Sequence, residues 1–330
     1  MPDNDKRLCA MRTWLDNQGY TGGELSSASA DASFRRYFRL RRNGSSLIVM
    51  DSPPSHNDNA PFIRVAGLFE GSGLSVPQIL LADTEQGFLL LSDLGDTQYL
   101  SVLNDDNADA LYGDALDALL RMQVRVPACS LPPYDAAALR AEMLLLPDWY
   151  AVRHKGVHLS AGRQAVIDDI FALCVDNALA QPRAFVHRDY HSRNLMQVRD
   201  GNPGILDFQD ALNGPITYDA VSLLKDCYIR WPREKVLGWL EQYRLQLHEA
   251  GLCTATQDEF VRWFDLMGLQ RHIKVMGIFC RLNYRDGKAA YMQDLPMVYG
   301  YIREVCQLYP ECAAFLQLLD EDLGAAGEFA

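Results

Sequence analysis

The hydrophobic period of this 330-residue chain changes once, near Asp93-Leu94-Gly95-Asp96, and that change constrains the fold more than any other feature. Before it, short apolar runs are bounded by turn residues. Glu24 to Ala30, Tyr37 to Arg42 and Leu47 to Met50 read as strands, and Asn43-Gly44 between the last two is a hairpin signal. A helix over 61–71, with Phe62, Val65, Ala66 and Phe69 on one face, precedes two further strands at Val76 to Ala82 and Phe88 to Ser92. A leading helix over 5–18 carries Leu8, Met11 and Leu15 and stops at Gly19. After the break, three or four helices are expected between 105 and 180, and helix again from 215 to about 320. Two strand features interrupt that region: Ala184 to Val186, and Leu195 to Val198 paired with Gly204 to Leu206. The expectation is an α+β fold of two lobes, β-rich over 1–92 and mainly helical over 93–330.

Composition narrows the function by exclusion. With 31 basic and 43 acidic residues the formal charge is −12, which argues against a broad nucleic-acid or anionic-membrane surface. No apolar run approaches the ~18 residues of a membrane span, and the polar start lacks the pattern of a signal peptide. The eight cysteines form no C-x-x-C pair and read as free thiols, mostly buried, in a reducing cytoplasm. Nothing in the chain calls for an obligate protein partner.

The chemistry is concentrated in His187-Arg188-Asp189-Tyr190-His191-Ser192-Arg193-Asn194, followed by Ile205-Leu206-Asp207-Phe208-Gln209-Asp210. An H-x-D-x-x-x-x-N run, a short hairpin and an apolar strand ending in D-F is the arrangement phosphoryl transfer requires. One carboxylate orients the attacking hydroxyl, while an amide and a second carboxylate hold Mg²⁺ against the nucleotide phosphates. His187 and His191 at i and i+4 suggest zinc only on a helix with a third ligand, and no H-E-x-x-H glutamate accompanies them.

These motifs resemble the aminoglycoside phosphotransferase and choline kinase group, relatives of the protein kinases, so the resemblance implies a bilobal protein-kinase-like fold. DASFRRYFRL, LIVMDSPP, GFLLLSDLG, HRDYHSRN, LDFQDALNGPITYD and LQRHIKVMGIFCRLNYRDGK resemble more narrowly the anomeric sugar kinases of bacterial cell-wall recycling. That likeness implies transfer from ATP, with Mg²⁺, to the C1 hydroxyl of N-acetylmuramate and N-acetylglucosamine, giving the α-1-phosphate.

Carried over residue by residue, the resemblance makes Asp189 the catalytic carboxylate and Asn194 and Asp207 the magnesium ligands. It makes His187 and Asp219 supports of the catalytic loop. The phosphate loop would be Asp31 to Arg36, with Ser33, Arg35 and Arg36 at the nucleotide and Arg35 preferred over Arg36. Leu91, Ser92 and Asp93 match the hinge that meets adenine, with Leu91 and Leu206 flanking the ring. Met50 stands where many kinases carry a lysine, which leaves Arg35, Arg36 or a second magnesium to neutralise the phosphates. For the acceptor, Arg271, Arg281 and Tyr284 form a polar cluster in an apolar helix, Asp148 and Trp149 offer a sugar platform, and Gln209 and Asp210 follow the metal motif. A kinase of another small alcohol (an aminoglycoside, choline, homoserine or a thiosugar) and a nucleotide-binding pseudokinase are the alternatives.

Overall fold

A computed structural model describes residues 5–29, 35–324, 327 and 329. In chain order the elements are α1 (Lys6–Asn17), β1 (Glu24–Ser29), β2 (Arg36–Arg42), β3 (Ser45–Asp51), α2 (Ala60–Leu68), β4 (Ile79–Asp83), β5 (Phe88–Ser92) and α3 (Tyr99–Val102). Then come α4 (Ala108–Arg125), α5 (Ala136–Met143), a π-helical segment (Leu146–His154), α6 (Ala161–Leu179), β6 (Arg183–Val186), β7 (Leu195–Met196), β8 (Gly204–Ile205) and β9 (Leu212–Pro215). The chain continues through α7 (Tyr218–Leu224), α8 (Arg233–Glu249), α9 (Gln257–Asp286), α10 (Leu295–Leu308) and α11 (Ala313–Gln317).

Two compact units result. The first takes residues 1–99 and, in addition, 194–210; the second takes 100–193 and 211–330. A single cut after Ser92 does not describe this division. The reason lies in backbone pairing: Ile205 N–H donates to Ser75 O at 2.7 Å and Gln197 N–H to Thr97 O at 2.8 Å. The β7–β8 hairpin therefore satisfies its main-chain groups within the first unit.

In the first unit the strands form an antiparallel sheet of order β1-β2-β3-β5-β4. Asn43 and Gly44, at φ 49° and 77°, make the β2–β3 turn with the positive dihedrals a two-residue hairpin needs. Alternation places Phe38, Leu40, Val49, Phe88 and Leu90 together, and Met11, Trp14 and Leu15 of α1 pack on them. Buried Asp51 pins this arrangement, accepting from Arg7 Nε at 2.8 Å and Arg36 Nε at 2.9 Å.

The second unit is built round α9. Its 30 residues span roughly 45 Å. Thr256 caps its start, accepting from Glu259 N–H at 3.4 Å. From Phe264 to Gly277 every residue is buried, because α5, α6, α7, α10 and the π-helical segment surround it. At Gly277 an added Cβ would lie 2.3 Å from the Leu145 carbonyl carbon, so this close approach requires glycine. Strand β9, which pairs with β6, is absent from the sequence reading because Leu212-Asn213-Gly214-Pro215 carries turn residues.

Candidate active site

In the second unit, β6 ends at Val186 and delivers the loop 187–193. Arg188 adopts φ 78°, a left-handed conformation that a side chain bearing Cβ rarely takes. Three charged side chains hold it there. Asp219, buried in the first turn of α7, accepts the N–H groups of His187 at 2.6 Å and Arg188 at 3.0 Å. Arg271 of α9 donates to the Arg188 carbonyl at 2.8 Å, and the Arg188 guanidinium pairs with Glu142 of α5. Next along the loop, Asp189 N–H donates to His187 Nδ1 at 3.3 Å, and Ser192 donates through N–H and hydroxyl to buried Asp226 at 3.0 and 2.5 Å.

The surroundings of Asp189 decide its charge. Burial raises its carboxyl, but Lys274 and Arg271 outweigh that and hold it below its ordinary value. It is ionised at neutral pH, as a proton acceptor must be. Glu142 resists burial in the same way, pulled below its ordinary value by Lys274 and Arg188. Asp219 differs: burial pushes it up to about 7 against the pull of its two N–H bonds. His191 is shifted down, chiefly by burial, and is a neutral imidazole.

In the first unit the β7–β8 pairing sets Leu195 opposite Ile205, and Leu206 N–H donates to Asn194 O at 2.9 Å. Asn194 and Asp207 thus emerge at the same end of one hairpin. Asp207 has φ 62° and accepts from Gln209 Nε2 at 2.8 Å. Phe208 anchors the turn against Phe62 and Phe69, at ring-centroid distances of 5.0 and 5.2 Å. An amide oxygen and a carboxylate side by side suit Mg²⁺, which keeps several of its waters and needs few protein ligands. Among the described residues no group of three or more His, Cys, Asp or Glu side chains forms an alternative metal site.

The remaining expected site residues divide. Ser33 lies outside the described residues, and Arg35 stands just before β2. Arg36 is given a different occupation from the nucleotide role expected of it. Its guanidinium is taken by Asp51 and Asp5, because the β2–β3 register sets it opposite Asp51. Leu91 is buried in β5, and Leu206 is half-buried. Ser92 N–H is used by Gln78 O at 2.9 Å, and the Asp93 carboxylate is held by Arg39, Ser46 and the Gly95 N–H. The Asp93 bonds engage its side chain and not the main-chain groups of the expected hinge. Arg271 has a structural task as well: its Nη1 grips Arg188 O and, at 3.4 Å, Tyr218 OH, while its Nε has no hydrogen-bond partner.

Asp148 and Trp149 sit on the π-helical segment, and Arg281 and Tyr284 on the C-terminal part of α9 that packs on it. Tyr284 OH lies 2.8 Å from His154 Nδ1, and Arg281 is half-buried with no partner for its Nε. Lys274 and Arg281, seven residues apart, are separated by about 10 Å along the axis. Gln209 is buried beside Asp207, and Asp210 is exposed. Sequence reasoning missed Glu142 and Tyr134, which carry no local pattern. Lys274 had a signal: it stands with Arg271 and His272 in a basic cluster just before the apolar Val275 to Cys280 stretch.

The second unit thus carries an ionised carboxylate in a cationic setting, and the first an Asn and an Asp at one hairpin end, the residue types that a phosphotransferase of the protein-kinase-like class uses. The comparisons agree with this class. Residues 24–255 match the model of the phosphotransferase enzyme family. Among solved structures, the ADP-bound aminoglycoside phosphotransferase APH(2'')-Ib aligns over 90% of this chain and 98% of its own, with TM-score 0.60 and 15% identity. An ethanolamine kinase from Plasmodium vivax aligns over 89% and 86%, with TM-score 0.64 and 10% identity. Sequence relatives are far nearer. A kinase from Pseudomonas aeruginosa, named N-acetylmuramate/N-acetylglucosamine kinase, is 47% identical over 96% of this chain and 97% of its own. Proteins of the same name from Pseudomonas putida and Neisseria meningitidis are 45% and 42% identical, each over 97% of this chain and 98% and 97% of their own. The chain belongs to this phosphotransferase enzyme family, and it is an enzyme.

Proposed function

We propose that this protein transfers the γ-phosphoryl group of ATP to the anomeric C1 hydroxyl of N-acetylmuramate and N-acetylglucosamine, giving the α-1-phosphate and ADP. The observation that carries the reading is the near-full-length identity to kinases of that name. In the reaction the sugar C1 oxygen bonds to the γ-phosphorus, the bond from that phosphorus to the bridging oxygen breaks, and ADP leaves. Ionised Asp189 orients the hydroxyl and accepts its proton. Asn194 and Asp207 are the residues to hold Mg²⁺, which when bound neutralises charge on the phosphates. No described helix is long and apolar enough to cross a membrane, and the reaction suits the cytoplasm, where ATP is abundant.

Acceptor recognition falls to Arg281 in this reading. Lys274 is paired with Glu142 and Arg271 gives Nη1 to the Arg188 carbonyl, and half-buried Arg281, whose Nε has no hydrogen-bond partner, is the cation of α9 assigned to the lactyl carboxylate that only the muramate carries. The test is an ATP-consumption assay with Mg²⁺ on N-acetylmuramate, N-acetylglucosamine, glucose, choline and kanamycin, with ³¹P NMR of the product. Turnover of the two N-acetyl sugars alone is expected, and Asp189→Asn should abolish it while nucleotide binding persists. Arg281→Ala should raise KM for the muramate roughly tenfold or more and leave the glucosamine KM unchanged. Turnover of another acceptor in place of these sugars would sink the substrate assignment.

A further inference from the structure

We propose that Glu142, on α5, is a positioning residue for the catalytic carboxylate, acting through Arg188 and Lys274. The inference rests on Asp189 being the proton acceptor of the reaction above. The geometry is that of a shared anchor. One Glu142 oxygen takes both the Arg188 guanidinium and, at 3.0 Å, Lys274 Nζ; the other takes Tyr134 OH and, at 3.4 Å, Gln270 Nε2. Lys274 has one further polar contact described, Tyr218 OH at 3.2 Å, which is itself shared with Arg271 at 3.4 Å.

Two consequences follow from this wiring. Arg188 is the residue before Asp189, so fixing its side chain, its carbonyl and its N–H fixes the direction in which Asp189 leaves the backbone. The cations Arg188, Arg271 and Lys274 are set against the carboxylates Glu142 and Asp189, with Asp219 pushed up to about 7 by burial, so loss of the Glu142 charge leaves the cluster in marked cationic excess. Without that charge Asp189 is the remaining carboxylate whose field favours the buried Lys274 ammonium. The ammonium would pair with the catalytic carboxylate and compete with the acceptor hydroxyl for it. Glu142 keeps the ammonium occupied and Asp189 available.

The decisive variants are Glu142→Gln and Glu142→Gln/Lys274→Met, measured beside Asp189→Asn. Glu142→Gln keeps the shape and removes the charge. Its kcat should fall on the order of 100-fold, with KM for ATP within about twofold of the parent. Adding Lys274→Met removes the competing ammonium and should recover about tenfold of that loss, a reversal that lost packing would not produce. Parental kcat in folded Glu142→Gln, or a double variant no better than the single one, overturns the inference. Should Glu142→Gln not fold, Glu142→Asp decides: a tenfold or greater loss of kcat at unchanged KM for ATP supports it, and parental kcat overturns it. If Asp189→Asn itself retains turnover, the fault lies in the assignment of Asp189 and not in the role of Glu142.

Discussion

Arg188 at φ 78° costs about 1–3 kcal/mol that its neighbours must offset, and Asp219 offsets part of it with two backbone hydrogen bonds. Replacing Asp219 with Asn leaves one oxygen to accept and turns an amide N–H₂ towards a backbone N–H. One buried donor is then unpaired, at a cost of about 1–3 kcal/mol. Asp219→Asn should therefore lower kcat by roughly 10- to 100-fold with nucleotide affinity unchanged. Steady-state kinetics beside calorimetric nucleotide titration would check it, and full kcat would show that the loop holds without this bond. At this scale the sequence was informative where a role is carried by local spacing. His187, Asp189, Asn194, Asp207 and Asp219 were each singled out from motif context. It was uninformative where a role depends on what a long side chain reaches. Arg36 meets Asp51 across two strands, and Arg271 meets Arg188 across 83 positions.

Helix α9 shows the same contrast for elements. Its helical character was legible within the expected helix from 215 to about 320, but its ends and its burial on nearly all sides were not, since its mixture of charged and apolar residues reads as a half-exposed helix. Gly277→Ala tests the packing. Helix propensity favours alanine by about 1 kcal/mol, but the new Cβ would meet the Leu145 backbone, which cannot swing aside as a side chain can. A net destabilisation of about 1–3 kcal/mol in urea unfolding is expected, and a stabilised variant would contradict the close approach. His272, buried in the same helix and stacked on Tyr301 at 4.7 Å, supplies a pH dependence. Burial lowers its pKa from 6.5 to about 3, so between those values the unfolded chain binds a proton that the folded one refuses. This contribution is fully present above pH 6.5 and is lost as pH falls, by up to about 1.4 kcal/mol per unit. Unfolding free energies at pH 7.5, 6.0 and 5.0 should fall less steeply in His272→Gln, and parallel slopes would refute it. The π-helical segment and β9 had no such signature. Their conformations answer to α9 and β6, which lie far away in sequence.

For the whole molecule, thiol reactivity offers a simple test of the burial pattern. Cys9 and Cys129 are exposed and the other six cysteines are buried, all eight of them free. Ellman's reagent should react quickly with two thiols in native protein and with eight in denaturant; fast reaction of more than two would contradict the packing. The α+β organisation, the order of strands and helices apart from β9 and the π-helical segment, and the motif spacing were determined by the sequence alone. Hydrophobic period, turn residues and motif spacing act over a few residues and can be read without knowing what they pack against. Tertiary structure alone decided that 194–210 joins the first unit, that Arg36 and Arg271 serve as internal anchors, and that Glu142 stands behind the catalytic loop. Each of these depends on backbone groups and buried charges finding partners, and the partner of a buried charge is chosen by distance in space, which spacing along the chain does not encode.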